Sequence, residues 1–164
     1  MNWIIRSCIR LSGHTYLNEV LLPILEDLEQ FNWLISDLEY NTSGSVEAFA
    51  VPVNHDEDYF LLSENEFQRL LAADLQIYWG VILGIPGSFE PAIDENNLPF
   101  AEGNPLIWKN GNIQHPNAEI EIVCYDSGYT IVKFRDPYLS RKFGSYFTEA
   151  IDLERFKSKT LPYY

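Results

Sequence analysis

Basic residues are nearly missing from the first two thirds of this chain. Between Leu11 and Trp108 one base, Arg69, stands against 17 acids, a net of −16 in a chain of 164 residues whose total is −13. Phosphate binding needs clustered Lys and Arg, so this balance argues against nucleic acid as a ligand, and against anionic membrane surfaces for the same reason. Cysteine is also scarce. Cys8 and Cys124 lie far apart in apolar runs and read as small core residues rather than a disulfide. No run approaches the ~18 consecutive apolar residues of a membrane span. The opening MNWIIRSCIRLSG is broken by Arg6, Ser7 and Arg10, so it reads as a first strand over 3–12 in a cytosolic protein, not as a leader.

Catalytic signatures are absent as well. There is no G-x-S-x-G, no H-E-x-x-H, no phosphate-cradling glycine loop and no C-x-x-C. The densest polar stretch, NHDED at 54–58, sets one histidine against three acids. A calcium loop needs alternating oxygen ligands, a glycine at the sharp turn and a terminal bidentate glutamate. This stretch has neither the glycine nor the glutamate. A transition-metal site would need more imidazole or thiolate, and His14 and His115 have no second His or Cys three or four residues away. No metal, cofactor or catalytic residue is therefore assigned. With 24 acids, paired carboxylates carry no information about glycoside chemistry.

What remains is a chain that is 46% hydrophobic and 15% aromatic, long enough for one core without staples. Leu17, Val20, Leu21, Ile24, Leu25 and Leu28 recur at helical spacing, with Thr15 as the expected N-cap. Pro23 should kink that helix or start a second one. NWLISDLEY over 32–40 and VEAFAVPV over 46–53 read as strands around the turn NTSGS, the second an edge strand because of Pro52. Ser63-x-x-Glu66 is a capping box ahead of a helix that buries Phe67, Leu70 and Leu71. LQIYWGVILGIP over 75–86 reads as a central strand buried on both faces. A long loop follows over 86–105, Asn110-Gly111 signals a hairpin turn, and residues 119–136 form the clearest hairpin, around Ser127-Gly128. Asp136-Pro137 caps a last helix, and EAIDLERF fits strand or helix. The expected fold is a single α+β domain over 1–164. It has a mostly antiparallel sheet of five to seven strands, covered by a kinked N-terminal helix and one or two further helices.

Asp37, Glu39, Glu47, Asp56, Glu57 and Asp58 fall within one β-rich stretch, with Tyr59 beside them. Asp37 and Glu39 are two apart and share a strand face. If the 32–40 and 46–53 strands pair, Glu47 comes near Glu39, and like charges so placed cost stability. A protein partner carrying Lys and Arg would relieve that cost, with neighbouring aromatics as anchors. These seven residues are the expected partner-binding set. Two other readings are open. One is a small-molecule binder or enzyme with the 86–105 loop as a lid over Trp108 and the bases Lys133, Arg135, Arg141 and Lys142. The other is a structural subunit that forms a homodimer through its aromatics.

The stretches YLNEVLLPILEDLEQFNWLISDLEY, LLAADLQIYWGVILGIP and IEIVCYDSGYTIVKFRD, taken together, resemble the immunity proteins of bacterial polymorphic and contact-dependent toxin systems. The resemblance implies a small, non-catalytic cytoplasmic protein that binds one cognate toxin, frequently a basic nuclease, and neutralises it. It carries over no residue.

Overall fold

A computed structural model describes residues 1–13, 15–42, 52–54, 56–73 and 75–160. Among the described residues seven strands form one sheet in the order β3-β2-β4-β5-β6-β1-β7. They are β1 (Trp3–Ile5), β2 (Phe31–Thr42), β3 (Tyr59–Leu62), β4 (Leu75–Pro86), β5 (Ile120–Tyr125), β6 (Tyr129–Phe134) and β7 (Ile151–Asp152). Every pairing is antiparallel. The protein is thus α+β, with the sheet at the upper end of the expected size.

β4 forms over the 75–86 stretch that its apolar run marks, and Val81 through Ile85 are all buried. Both faces are covered because each packs on a different layer. On one face Trp33, Ile35, Ile82, Ile122 and Val132 pack under helices. Those helices are α1 (Leu17–Val20), a 3-10 helix over Leu22–Gln30, α2 (Glu64–Ala72) and α3 (Pro137–Tyr146). Trp33 stacks on Phe67 of α2 at 3.9 Å between ring centres. On the other face Leu34, Val81, Leu83, Val123 and Ile131 pack under Ala101, Ile107 and Ala118 of the chain between β4 and β5, and under Leu153 and Phe156 of α4 (Leu153–Thr160).

Local chemistry explains several element ends. Ser63 Oγ accepts from the Glu66 N–H while the Glu66 carboxylate takes the Ser63 N–H, the capping box its sequence spells. Asp136 caps α3 through the Tyr138 N–H, with Pro137 in the first turn. The β5–β6 turn places Asp126 and Ser127 at positive φ.

Three expectations are corrected, and the alternatives left open at Pro23 and over EAIDLERF are resolved. The first strand ends at Ile5, because a turn closed by the Leu11 N–H on Cys8 O follows it. The N-cap of α1 is Tyr16, without a side-chain cap, and Thr15 sits at φ 67° just before it. After Val20 the chain tightens to a 3-10 helix with Pro23 in its first turn, so proline begins a second helix of different pitch. Asn110-Gly111 makes no hairpin: Gly111 has positive φ, but the preceding Pro105–Trp108 is a short 3-10 turn rather than a strand. EAIDLERF is both things in turn, β7 and then α4. The proposed strand over 46–53 lies mostly outside the described residues, as does Glu47.

Candidate functional site

The ladder between β2 and β4 runs in regular register from Phe31 to Ser36 and then slips, between Ser36 and Glu39 and again between Glu39 and Tyr40. β3 pairs with β2 over Trp33–Ser36 and stops at the same place. Asp37 sits at φ 54°, a left-handed conformation that Asp tolerates. Bulges of this kind re-aim side chains, and this one opens a cleft of about 370 Å³. Asp37, Glu39, Glu57 and Asp58 supply its carboxylates. Leu38, Val53, Phe60, Leu98 and Phe100 give it apolar lining.

One wall is the segment 98–100, from the long chain that crosses the sheet after β4. It is docked on the bulge itself. Ser36, buried, donates its hydroxyl to Pro99 O at 2.6 Å. Asp37 Oδ2 accepts the Ala101 N–H at 2.7 Å. The expected long loop is therefore present but firmly seated. His115, buried, bonds through Nε2 to Ala92 O at 3.1 Å.

Of the expected partner-binding residues, the structure brings Asp37, Glu39, Glu57 and Asp58 to this cleft. Asp56 is exposed one position away, in a turn closed by its N–H on Asn54 Oδ1. Tyr59 does not line the cleft. Its ring packs toward the face under the long loop, and its hydroxyl donates to Glu95 at 3.2 Å. That hydrogen bond to a carboxylate raises the Tyr59 pKa. Glu47 and His55 lie outside the described residues. The shared face of Asp37 and Glu39 comes from the cleft beside the bulge, because the slipped register breaks the two-residue period that sequence spacing assumes. Leu98 and Phe100 were not legible as part of a site. Their signal was the loop's length alone.

No ion pair reaches the cleft acids among the described residues. The pairs found are Arg69–Glu66, Lys133–Glu121 and Lys142–Asp27. The last joins α3 to the 3-10 helix at 2.7 Å. The hydrogen bond to Asp27 raises the Lys142 pKa.

The bases proposed to lie beneath a lid are dispersed. Lys133 is fully buried, with Nζ 2.7 Å from Glu121 Oε1 and 2.7 Å from Asn112 O. Arg135 donates to the carbonyls of Ala118 and Pro116, and Arg141 is exposed. Trp108 packs edge-on to Tyr125 and Tyr129 and parallel to Phe156. The space under the loop is filled by side chains, an arrangement that does not favour a lid over a pocket there.

Fold and cleft together define an α+β protein with an acidic, part-apolar cleft at the β3 end of its sheet. No family model, curated protein or solved structure matches the chain.

Proposed function

We propose that this chain binds and neutralises a basic protein partner, in the manner of the immunity proteins of bacterial toxin systems. The observation that supports the reading is the cleft. Four carboxylates gather on one accessible edge, with apolar lining between them and no base of the described chain against them. Gathered like charges disfavour the free protein and favour a cationic partner. Long-range attraction of this kind raises association rates roughly 10- to 1,000-fold and fades with salt.

The test uses the protein encoded immediately beside this one and its isolated C-terminal domain. Co-expression of the present chain should protect cells from that domain. Glu39→Lys, Glu57→Lys and Asp58→Lys together should slow association by at least about tenfold and flatten its salt dependence. Association at the unmodified rate, with unmodified salt dependence, removes the cleft from the mechanism. Failure to protect removes the neutralising role. Sedimentation of the chain alone checks the homodimer alternative.

A further inference from the structure

Phe100 is a large apolar side chain left 45% exposed at the edge of the cleft. The backbone around it is fixed at three consecutive residues, although it belongs to no helix or strand. Pro99 O accepts from Ser36 Oγ at 2.6 Å, the Phe100 N–H donates to Gln114 Oε1 at 3.1 Å, and the Ala101 N–H donates to Asp37 Oδ2 at 2.7 Å. The orientation of the Gln114 amide is forced by its neighbours. Asn104 Oδ1 is occupied by the Leu106 N–H, so Asn104 presents Nδ2 to Gln114 Oε1 at 2.9 Å, and both groups facing that oxygen are donors. Gln114 Nε2 is buried without a partner. The side chain is thus used as an acceptor. Its own N–H donates to Glu121 Oε2 at 2.6 Å, and the other carboxylate oxygen meets Lys133. The polar chain from the buried ion pair therefore ends at Phe100.

An exposed aromatic on fixed backbone loses little freedom on binding, which is the property of an interface anchor. Here it stands beside carboxylates. A cation that is flat can lie on the ring and still donate to Glu57 or Asp58, a geometry that suits guanidinium better than ammonium. We propose that Phe100 is the aromatic anchor of the cleft and takes an arginine side chain of the basic partner, with Ser36, Asp37 and Gln114 as positioning residues. This rests on the reading of the cleft as a docking site.

The probes are hexa-arginine and hexa-lysine peptides, titrated calorimetrically at low salt against the whole chain. Phe100→Leu keeps an apolar side chain and removes the π face. It should weaken hexa-arginine about 2- to 5-fold, the size of an exposed cation–π contact, and leave hexa-lysine nearly unchanged. Glu57→Lys with Asp58→Lys should weaken both peptides. Amide exchange reads the positioning role without any ligand. Gln114→Ala should speed exchange at Phe100 at least tenfold while β4 and β5 stay protected, and Gln114→Glu, which keeps the acceptor, should restore protection. Equal affinity of wild type and Phe100→Leu for hexa-arginine, with the charge reversals still active, overturns the anchor alone. If neither peptide binds the unmodified chain, the docking cleft falls and the anchor with it. Unchanged exchange in Gln114→Ala overturns the positioning role.

Discussion

Lys133→Met removes a buried ammonium while keeping an unbranched side chain of similar length. In the native protein Glu121 and Lys133 face each other across β5 and β6, both fully buried, 2.7 Å apart. The carboxylate oxygen toward Lys133 is poorly aligned for a hydrogen bond, so charge carries the contact. Its other oxygen accepts the Gln114 N–H, and Lys133 also holds Asn112 O. Methionine would leave a buried carboxylate without its counter-charge and a loop carbonyl without its donor. Breaking a buried pair from one side costs about 3–5 kcal/mol. For a chain of this size that lowers Tm by roughly 6–20 °C. The cost belongs to the stranded charge more than to the lost attraction. Adding Glu121→Gln removes that charge and keeps an acceptor for Gln114, so the double variant should be more stable than Lys133→Met alone by about 1–3 kcal/mol. Urea denaturation of wild type, both single variants and the double variant closes the cycle. A cost below about 1 kcal/mol for Lys133→Met, or a double variant weaker than either single one, refutes the argument, for then the pair is not desolvated as its burial requires.

Ser63→Ala should cost about 1 kcal/mol by loss of the α2 cap. The Ser63 hydroxyl holds the Glu66 carboxyl below its usual range, so its contribution is present above the ordinary Glu pKa and lost as pH falls through the lowered one. The variant should therefore flatten the acid limb of stability against pH, and an unchanged limb counts against the assignment. Gly144→Ala should destabilise by about 1–3 kcal/mol despite a better helix former, because a Cβ there would stand 2.3 Å from Trp3 Cζ2; a neutral or raised Tm refutes this. Burial pushes the Cys124 thiol far above the usual range, and partial burial with Glu149 beside it raises Cys8 more modestly. A thiol reagent at neutral pH should label Cys8 slowly and Cys124 only after unfolding, and fast native labelling of Cys124 would contradict its packing.

What the sequence made legible is what local chemistry or two-sided burial decides. β4 could be placed because an unbroken apolar run leaves a strand few options other than a covered sheet interior. The Ser63 and Asp136 caps could be placed because each is satisfied within three residues. The 17–28 region could not be resolved into α1 and a 3-10 helix. Both pitches bury Leu17, Val20, Leu21, Ile24 and Leu28, so the apolar spacing fits either. The buried Lys133–Glu121 pair is not legible because two-period alternation puts both residues on one face of the hairpin without saying whether that face is covered. A signal was present: the two residues are opposite in charge and equidistant from Ser127, the centre of the hairpin turn. The missing fact was non-local, namely that the chain after β4 returns to cover that face. Phe100 escaped for the same reason, since nothing in its neighbourhood says that Ser36, Asp37 and Gln114 will hold it.

The bulge at Asp37 is where folding and binding requirements meet. Up to Ser36, β2 is paired on both sides and its alternate residues fill two cores. A strand continuing in that register would carry Asp37 and Glu39 toward a buried face, at a desolvation cost no carboxylate escapes without a partner. The slip instead turns Asp37 onto a loop amide and leaves Glu39 exposed. One irregular residue thus ends the double pairing, seats the loop that walls the cleft, and keeps the acids wet. Because these effects share one backbone conformation, they should fail together. Asp37→Val, which has neither the acceptor nor tolerance for positive φ, should free the Ala101 amide and misplace Phe100 without disturbing the Ser63 cap. A variant that lost only the amide contact, with β2 and the cleft wall unmoved, would show that the bulge is set by the strand pairing and that Asp37 merely occupies it.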